Sequence, residues 1–109
     1  MKISALVKQP GRVPYHVNIS NSLEALQKEV GGYIETLTLY PEQGDSPGMV
    51  VICNEEGHLL GLEYNTEILG IRFVGPIIIV GCQGCEFVDL PLEWAGMKAL
   101  FPEMWEVDE

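Results

Sequence analysis

Residues 76–82 have the sequence PIIIVGC, and the run of isoleucine and valine within them is the longest β-branched run of the chain. These branched side chains favour extended backbone. An extended segment that is apolar on both faces belongs inside a sheet that is covered on both sides. We therefore predict a central strand over residues 76–82, around which the other elements assemble.

Two further strands are predicted at the N-terminus, at residues 2–8 and 12–19. Gln9-Pro10-Gly11 separates them and is a strong turn signal. Apolar and polar residues alternate from 12 to 19, which is typical of a strand with one buried face. The two segments therefore predict a hairpin.

A short helix is predicted directly after this hairpin. Asn21 and Glu24 have the spacing of a capping box, with Asn21 as the N-cap. Gly31-Gly32 ends the helix, because glycine adopts the left-handed conformation found at helix ends. The apolar residues at helical spacing are Leu23, Leu26 and Val30.

A second helix is predicted near the C-terminus, beginning near Asp89-Leu90-Pro91 and cut short or bent by Pro102. Its apolar stripe consists of Trp94, Met97, Phe101, Met104 and Trp105. A stripe of this width favours a helix that faces the core. The alternative is an exposed patch that anchors a partner or a second copy, with Trp105 as the exposed residue.

The remaining strands are predicted at residues 33–40, 49–53, 58–64 and 86–88. Asn54 to Gly57 is interpreted as a hairpin turn between the second and third of these, with Gly57 at positive φ. Residues 65–75 suit either a helical turn or a strand. Residues 41–48 (PEQGDSPG) predict a mobile loop and residues 102–109 an acidic tail. The prediction is one α+β domain with a mostly antiparallel sheet, one short helix after the first hairpin and a C-terminal helix.

The charge limits the classes of partner. Sixteen acidic residues against six basic ones give a net charge of −10 over 109 residues. Such a field disfavours direct binding of nucleic acids and of anionic membranes, and it suits a partner with a basic surface. No apolar run approaches the roughly 20 residues of a membrane span. A cytoplasmic location is therefore expected.

One possible metal set is present. Cys82 and Cys85 form a C-x-x-C pair, and Cys53 and His58 flank the preceding turn. Three sulfurs and one nitrogen would suit tetrahedral zinc. The C-x₄-H spacing is unusual for zinc, so the favoured interpretation is that the cysteines are small buried apolar residues, with no metal and no cofactor.

Catalytic motifs are missing from the sequence. The chain has two histidines, and neither has a recognisable orienting partner; no nucleophile elbow, metalloprotease helix or phosphate loop is present. The sequence therefore favours a protein that is not an enzyme.

Two segments resemble a known family. The runs LEALQKEVGGYIE (23–35) and NEEGHLLGLEYN (54–65), followed by a strand that ends in Ile79-Val80-Gly81, resemble a family of small domains carried by bacteriophages and mobile elements, known only as a domain of unknown function. The chain departs from the family at Thr66, where arginine is common, and at residues 76–78, where an aromatic-rich strand is usual.

The resemblance implies a context of anti-defence binding. The first hypothesis is an acidic inhibitor of a nucleic-acid-handling defence protein, of the anti-CRISPR or anti-restriction type. The second is a binder that sequesters a signalling nucleotide, and a phage structural adaptor or a homodimer also stays open. The predicted contact residues come from the two motifs and the C-terminal stripe: Gly31, Gly32, Tyr33, Glu35, Asn54, Glu55, Asn65 and Trp105.

Overall fold

The computed structural model describes residues 1–84 and 86–107 of the chain. The strands are β1 (Lys2–Lys8), β2 (Tyr15–Ser20), β3 (Ile34–Tyr40), β4 (Gly48–Asn54), β5 (Tyr64–Ile68), β6 (Ile71–Val74), β7 (Ile77–Gln83) and β8 (Glu86–Val88). The helices are α1 (Leu23–Val30), α2 (Trp94–Leu100) and a 3-10 helix (Pro102–Trp105). This is the predicted α+β domain, and its radius of gyration of 13.0 Å is that of one compact unit.

The predicted central strand is confirmed. The main sheet has the order β2-β1-β7-β4-β3, with β8 paired to the far end of β7, and every pairing is antiparallel. Ile79 of β7 lies opposite Leu6 of β1 on one side and Val51 of β4 on the other. The side chains of residues 77–80 are fully buried, because both faces of the sheet are covered.

Different elements cover the two faces. On one face α1 packs Leu26 and Val30 against Val50, Ile52 and the even-numbered residues of β7. On the other face lie the β5–β6 hairpin, α2 and the 3-10 helix. The buried side chains that these elements pack against this face of the sheet are Ile68, Phe73, Met97, Phe101 and Met104.

The predicted first hairpin forms, although its second strand begins at Tyr15 rather than at residue 12, and a buried lysine stabilises its turn. Lys8 Nζ donates to the carbonyl oxygens of Gln9, at 3.2 Å, and of Arg12, at 2.8 Å. Burial lowers the pKa of Lys8, because the charged ammonium loses hydration. Lys8 therefore stabilises the turn in which the chain reverses direction between β1 and β2.

The N-cap prediction for α1 was wrong by one residue. Ser22 is the cap, and its Oγ accepts a hydrogen bond of 3.2 Å from the amide of Ala25. Asn21 instead donates its side-chain amide to the carbonyl of Phe87, 3.2 Å away, and so ties α1 to β8. Leu23 is exposed rather than part of the buried stripe. The predicted helix end is confirmed, since Gly31 has φ 80°.

The hairpin predicted across residues 54–57 was wrong. Residues 55–61 form consecutive turns, in which the amide of Leu60 donates to the carbonyl of Glu56 at 2.8 Å. Gly57 does not have positive φ. Strand β4 has β3 on one side and β7 on the other, so neither edge can accept residues 58–64. Instead β5 pairs with β6, which settles the ambiguous residues 65–75 as strands.

The C-terminal stripe faces the core, as the favoured interpretation predicted. Met97, Phe101 and Met104 are fully buried, and Trp105 is partly buried against the same cluster, so the alternative in which Trp105 is exposed does not hold. Helix α2 begins at residue 94 rather than near Pro91, and it ends before Pro102 as predicted. The side chain of residue 94 and the tail residues 108–109 lie outside the described part.

Residues 41–48 contain a tight turn. Gln43 and Ser46 exchange backbone hydrogen bonds of 3.0 and 2.9 Å, and a carboxylate oxygen of Glu42 accepts one of 2.9 Å from the amide of Gly84. The mobility of this loop stays a prediction. None of the helices in the described ranges has the length and apolar character to cross a membrane.

Candidate functional site

The two motif segments pack against each other at the end of α1. The amide of Glu55 donates to the carbonyl of Tyr33 at 2.8 Å and joins the segments directly. Between them lies a cleft of about 230 Å³, which we call the motif cleft. Its lining residues are Gln27, Gly31, Gly32, Tyr33, Asn54, Glu56 and Leu60. The structure thus brings together four of the eight predicted contact residues.

The buried side chain of Asn54 connects the two segments that form the motif cleft. It donates to the carbonyl of Val30 at 3.2 Å and accepts from the amide of Glu56 at 2.8 Å. A Cβ at Gly32 would lie 2.8 Å from Asn54 Nδ2, so glycine is needed for this close approach. Asn54 is therefore a structural junction between the end of α1 and the following turns.

The backbone amides of Gly31 and Gly32 are not available to a ligand. They donate to the carbonyl of Gln27 at 2.8 and 3.1 Å, which closes the last turn of α1. The C-terminus of a helix has a partial negative charge equivalent to about half an elementary charge. A phosphate would find neither donors nor a favourable potential at these two glycines.

The rim of the motif cleft is apolar and acidic. Tyr33 and Leu60, which line the cleft, are 66% and 60% exposed. Glu56 lines it too and is exposed, and Glu55, the next residue along the chain, is exposed as well. Within residues 1–84 and 86–107 no lysine or arginine pairs with a carboxylate, so the negative charge of this rim is not neutralised internally.

The other predicted contact residues lie elsewhere. Glu35 and Glu55 line a smaller neighbouring cleft with His58 and Arg72. Asn65 is buried in a third cleft, near the end of the described chain. Trp105 packs against the core.

The structure does not bring Cys53 and Cys82 of the possible zinc site together. Cys82 lies opposite Gly48 at the start of β4, whereas Cys53 lies five residues further along that strand, a separation of roughly 16 Å. The two side chains also pack against opposite faces of the sheet. Cys85 lies outside the described residues, and no three potential ligands meet in the part that is described.

Burial makes Cys53 a poor ligand and a slow nucleophile. Desolvation raises the pKa of Cys53 to about 11, and the charge of Glu35 adds to the shift. At pH 8 roughly one thiol in a thousand would be ionised, against about a quarter for an unfolded thiol. We expect iodoacetamide to alkylate Cys53 roughly 250-fold more slowly in the folded chain than in urea at pH 8, and about tenfold faster for each pH unit up to 10. Peptide mass spectrometry measures this, and equal rates in the two states would contradict it.

One pair of residues was missed in the sequence. Ser4 Oγ lies 2.6 Å from His16 Nε2, and both line a cleft of about 320 Å³ with residues 90–93. Both residues occupy even positions on paired strands, but only the register places them together. A hydroxyl beside an imidazole is the geometry of an activated nucleophile.

The surroundings of this pair do not favour nucleophilic catalysis. The amide of Ser4 donates to a carboxylate oxygen of Asp89 at 2.7 Å, which occupies a donor that an oxyanion would need. Among the residues described, the imidazole of His16 makes no hydrogen bond other than that to Ser4. A Ser-His pair without an orienting group or a free oxyanion donor is better explained as a cross-strand hydrogen bond.

These features define a small α+β domain with an antiparallel sheet covered on both faces and a shallow acidic cleft where two sequence motifs meet. Residues 1–104 match the family model described as DUF3846, a domain of unknown function. The chain therefore belongs to the DUF3846 family. Comparison with curated proteins and with solved structures finds no match.

Proposed function

We propose that this protein is not an enzyme and works by binding a partner protein with a basic surface through the motif cleft and its rim. The main support is the pair of Tyr33 and Leu60, two large apolar side chains that are exposed and line the motif cleft together with Glu56. Exposed apolar side chains that share a polar rim mark interaction sites more often than isolated ones do. The uncompensated carboxylates would steer a basic partner to them.

The size of the motif cleft supports a protein partner over a nucleotide. At about 230 Å³ it lies below the roughly 300–1,000 Å³ of sites that enclose drug-sized ligands. It suits one inserted side chain, with Tyr33 and Leu60 as walls. A sponge for a signalling nucleotide is less well supported, because the amides of Gly31 and Gly32 are already paired.

The phage resemblance suggests what the partner is. We infer a host or defence protein that handles nucleic acid in the cytoplasm, so that the chain would act as an acidic inhibitor of the anti-CRISPR or anti-restriction type. A basic groove that binds nucleic acid would accept this surface, since the net charge is −10.

Plaque assays on strains that each carry one defence system test this proposal. Expression of the wild-type chain should raise the plating efficiency of a targeted phage on at least one such strain and not on the strain without the system. Failure across restriction and CRISPR systems of several types would contradict the anti-defence role.

A surface variant then tests the site. We expect Tyr33→Ala to weaken binding to the purified defence complex roughly 30-fold, the effect of losing an aromatic hot spot of about 2 kcal/mol. The fold should be unchanged, because Tyr33 is largely exposed. Leu23→Ala is the matched control, since Leu23 is exposed at the opposite end of α1. Equal affinity of the two variants would place the interface elsewhere.

A further inference from the structure

One open edge of the main sheet carries no charge. The strand order ends at β2 on one side and at β3 on the other. Residues 13–23, which contain β2, include no aspartate, glutamate, lysine or arginine, although the whole chain has a net charge of −10. Open edges are commonly protected against other strands by charged side chains, lysine above all. Strand β2 lacks this protection.

The register of the first hairpin shows which backbone groups of β2 face outward. Asn18 lies opposite Ser4 of β1. The backbone of Ser4 bonds on its other side, because its amide donates to Asp89 Oδ1 at 2.7 Å and its carbonyl accepts from the amide of Leu90 at 2.9 Å. Hydrogen-bonded residues alternate along an antiparallel pair, so the even-numbered residues of β2 direct N–H and C=O away from β1. These outward residues are His16, Asn18 and Ser20, whose backbone groups have no hydrogen-bond partner on that side among residues 1–84 and 86–107.

We propose that two copies of the chain associate through β2, edge to edge and antiparallel, with Asn18 on the twofold axis. Asn18 would then pair with Asn18 of the second copy, and His16 of each copy with Ser20 of the other. Each of these pairs exchanges two backbone hydrogen bonds. The sheets of the two copies would become one continuous sheet.

The ends of β2 select this register. Pro14 has no N–H to donate. At the other end the carbonyl of Ser22 already accepts from the amide of Leu26 at 3.1 Å, within the first turn of α1. A register centred on any residue other than Asn18 therefore forms fewer complete pairs.

The side chains of β2 match themselves in this register. Val17 would lie opposite Ile19 of the second copy, and in each copy both side chains are partly buried on the face that α1 covers. They would form the pairs without hydrogen bonds, in which side chains approach most closely. Apolar surface is thus covered and no like charges lie opposite each other. Strand β3 with its exposed Glu35 would instead bring two carboxylates into such a pair.

The charge pattern favours a second copy over a basic partner at this edge. A basic protein gains no local attraction from an uncharged strand. The two copies repel each other only through their net charge of −10, which salt screens over about 10 Å at 0.1 M. The dimer should therefore tighten as salt is added, whereas the basic partner proposed for the motif cleft should bind more weakly. The two proposals can thus fail separately.

Sedimentation-velocity ultracentrifugation of the purified chain, from about 1 μM to about 1 mM, tests the association. We expect a reversible monomer–dimer equilibrium whose dissociation constant falls between low and high NaCl. A chain that stays monomeric over this range, or a dimer that salt dissociates, would overturn the proposal.

Asn18→Lys tests the edge. It should weaken the dimer roughly fivefold, because two ammonium groups would lie directly opposite each other. Asn18→Pro should weaken it at least about tenfold, because both central hydrogen bonds are lost. Thr36→Lys is the matched control, since it makes the same charge change at an exposed position of the other edge, β3, and should leave the dimer intact. Equal effects of the two lysine variants would place the interface elsewhere.

Cysteine crosslinking tests the register in the same dimer. Residues of a hydrogen-bonded pair have Cα atoms about 5.5 Å apart, which suits a disulfide. Mild oxidation should therefore link Asn18→Cys into a covalent dimer well above the wild-type background. Ser20→Cys should stay at background, because the two Ser20 residues would lie about 13 Å apart along the strands. Crosslinking of Ser20→Cys without crosslinking of Asn18→Cys would contradict the pairing.

Discussion

Replacement of Phe101 by alanine should lower the free energy of unfolding by about 3–5 kcal/mol. Phe101 is 1% exposed and lies between α2 and the 3-10 helix, where it packs in the same cluster as Met97 and Met104. Its ring centroid is 6.3 Å from that of Tyr40 on β3. Alanine would leave a cavity at the point where the C-terminal segment is attached to the sheet. Urea unfolding followed by circular dichroism measures the change.

The neighbouring Leu100 is the matched control for this prediction. It is the last residue of α2 and is 46% exposed, so Leu100→Ala should change stability by less than about 0.5 kcal/mol. If Phe101→Ala were as mild as the control but altered oligomeric state, the stripe would be an interface. The interpretation as core would then be wrong.

Removal of the Asn54 side chain should lower the free energy of unfolding by about 2–4 kcal/mol. Asn54→Ala leaves the carbonyl of Val30 and the amide of Glu56 without their partners, and each unsatisfied buried group costs roughly 1–3 kcal/mol. The same measurement applies. The loss would identify Asn54 as a structural member of its motif rather than a contact residue.

Asn18→Ala provides the comparison for Asn54, because Asn18 is exposed on the edge strand β2. It should have little effect. An Asn54→Ala variant that is as stable as the wild type but impaired in partner binding would reverse the assignment and make Asn54 a contact residue.

Local patterns predicted most of the fold. The apolar run of β7, the glycines after α1 and Pro102 each act over a few residues, and the structure places a buried strand or a helix end at each. The alternation over residues 12–19 predicted the second strand of the hairpin but not its start, which is at Tyr15. The strand predicted over residues 58–64 failed for a non-local reason, since both edges of β4 are occupied by β3 and β7. The N-cap of α1 is Ser22 rather than Asn21, because the side chain of Asn21 instead bonds to Phe87, 66 residues away along the chain.

The candidate sites were less predictable than the fold. The motif cleft could be anticipated in part, because Tyr33 and Asn54 lie within two recognisable runs of sequence. The pairing of Ser4 with His16 depends on strand register, and so does the outward direction of the backbone groups at Asn18. No local pattern contains that information.

The position of β1 beside β7 also has a consequence for how the chain folds during synthesis. Leu6 pairs with Ile79, so β1 cannot pair with β7 until more than seventy further residues have been synthesised. Until then β1 is paired only with β2, and its other edge has no neighbour in the sheet. We expect such late closure to slow folding and to expose nascent chains to chaperones, as is usual when distant segments must meet.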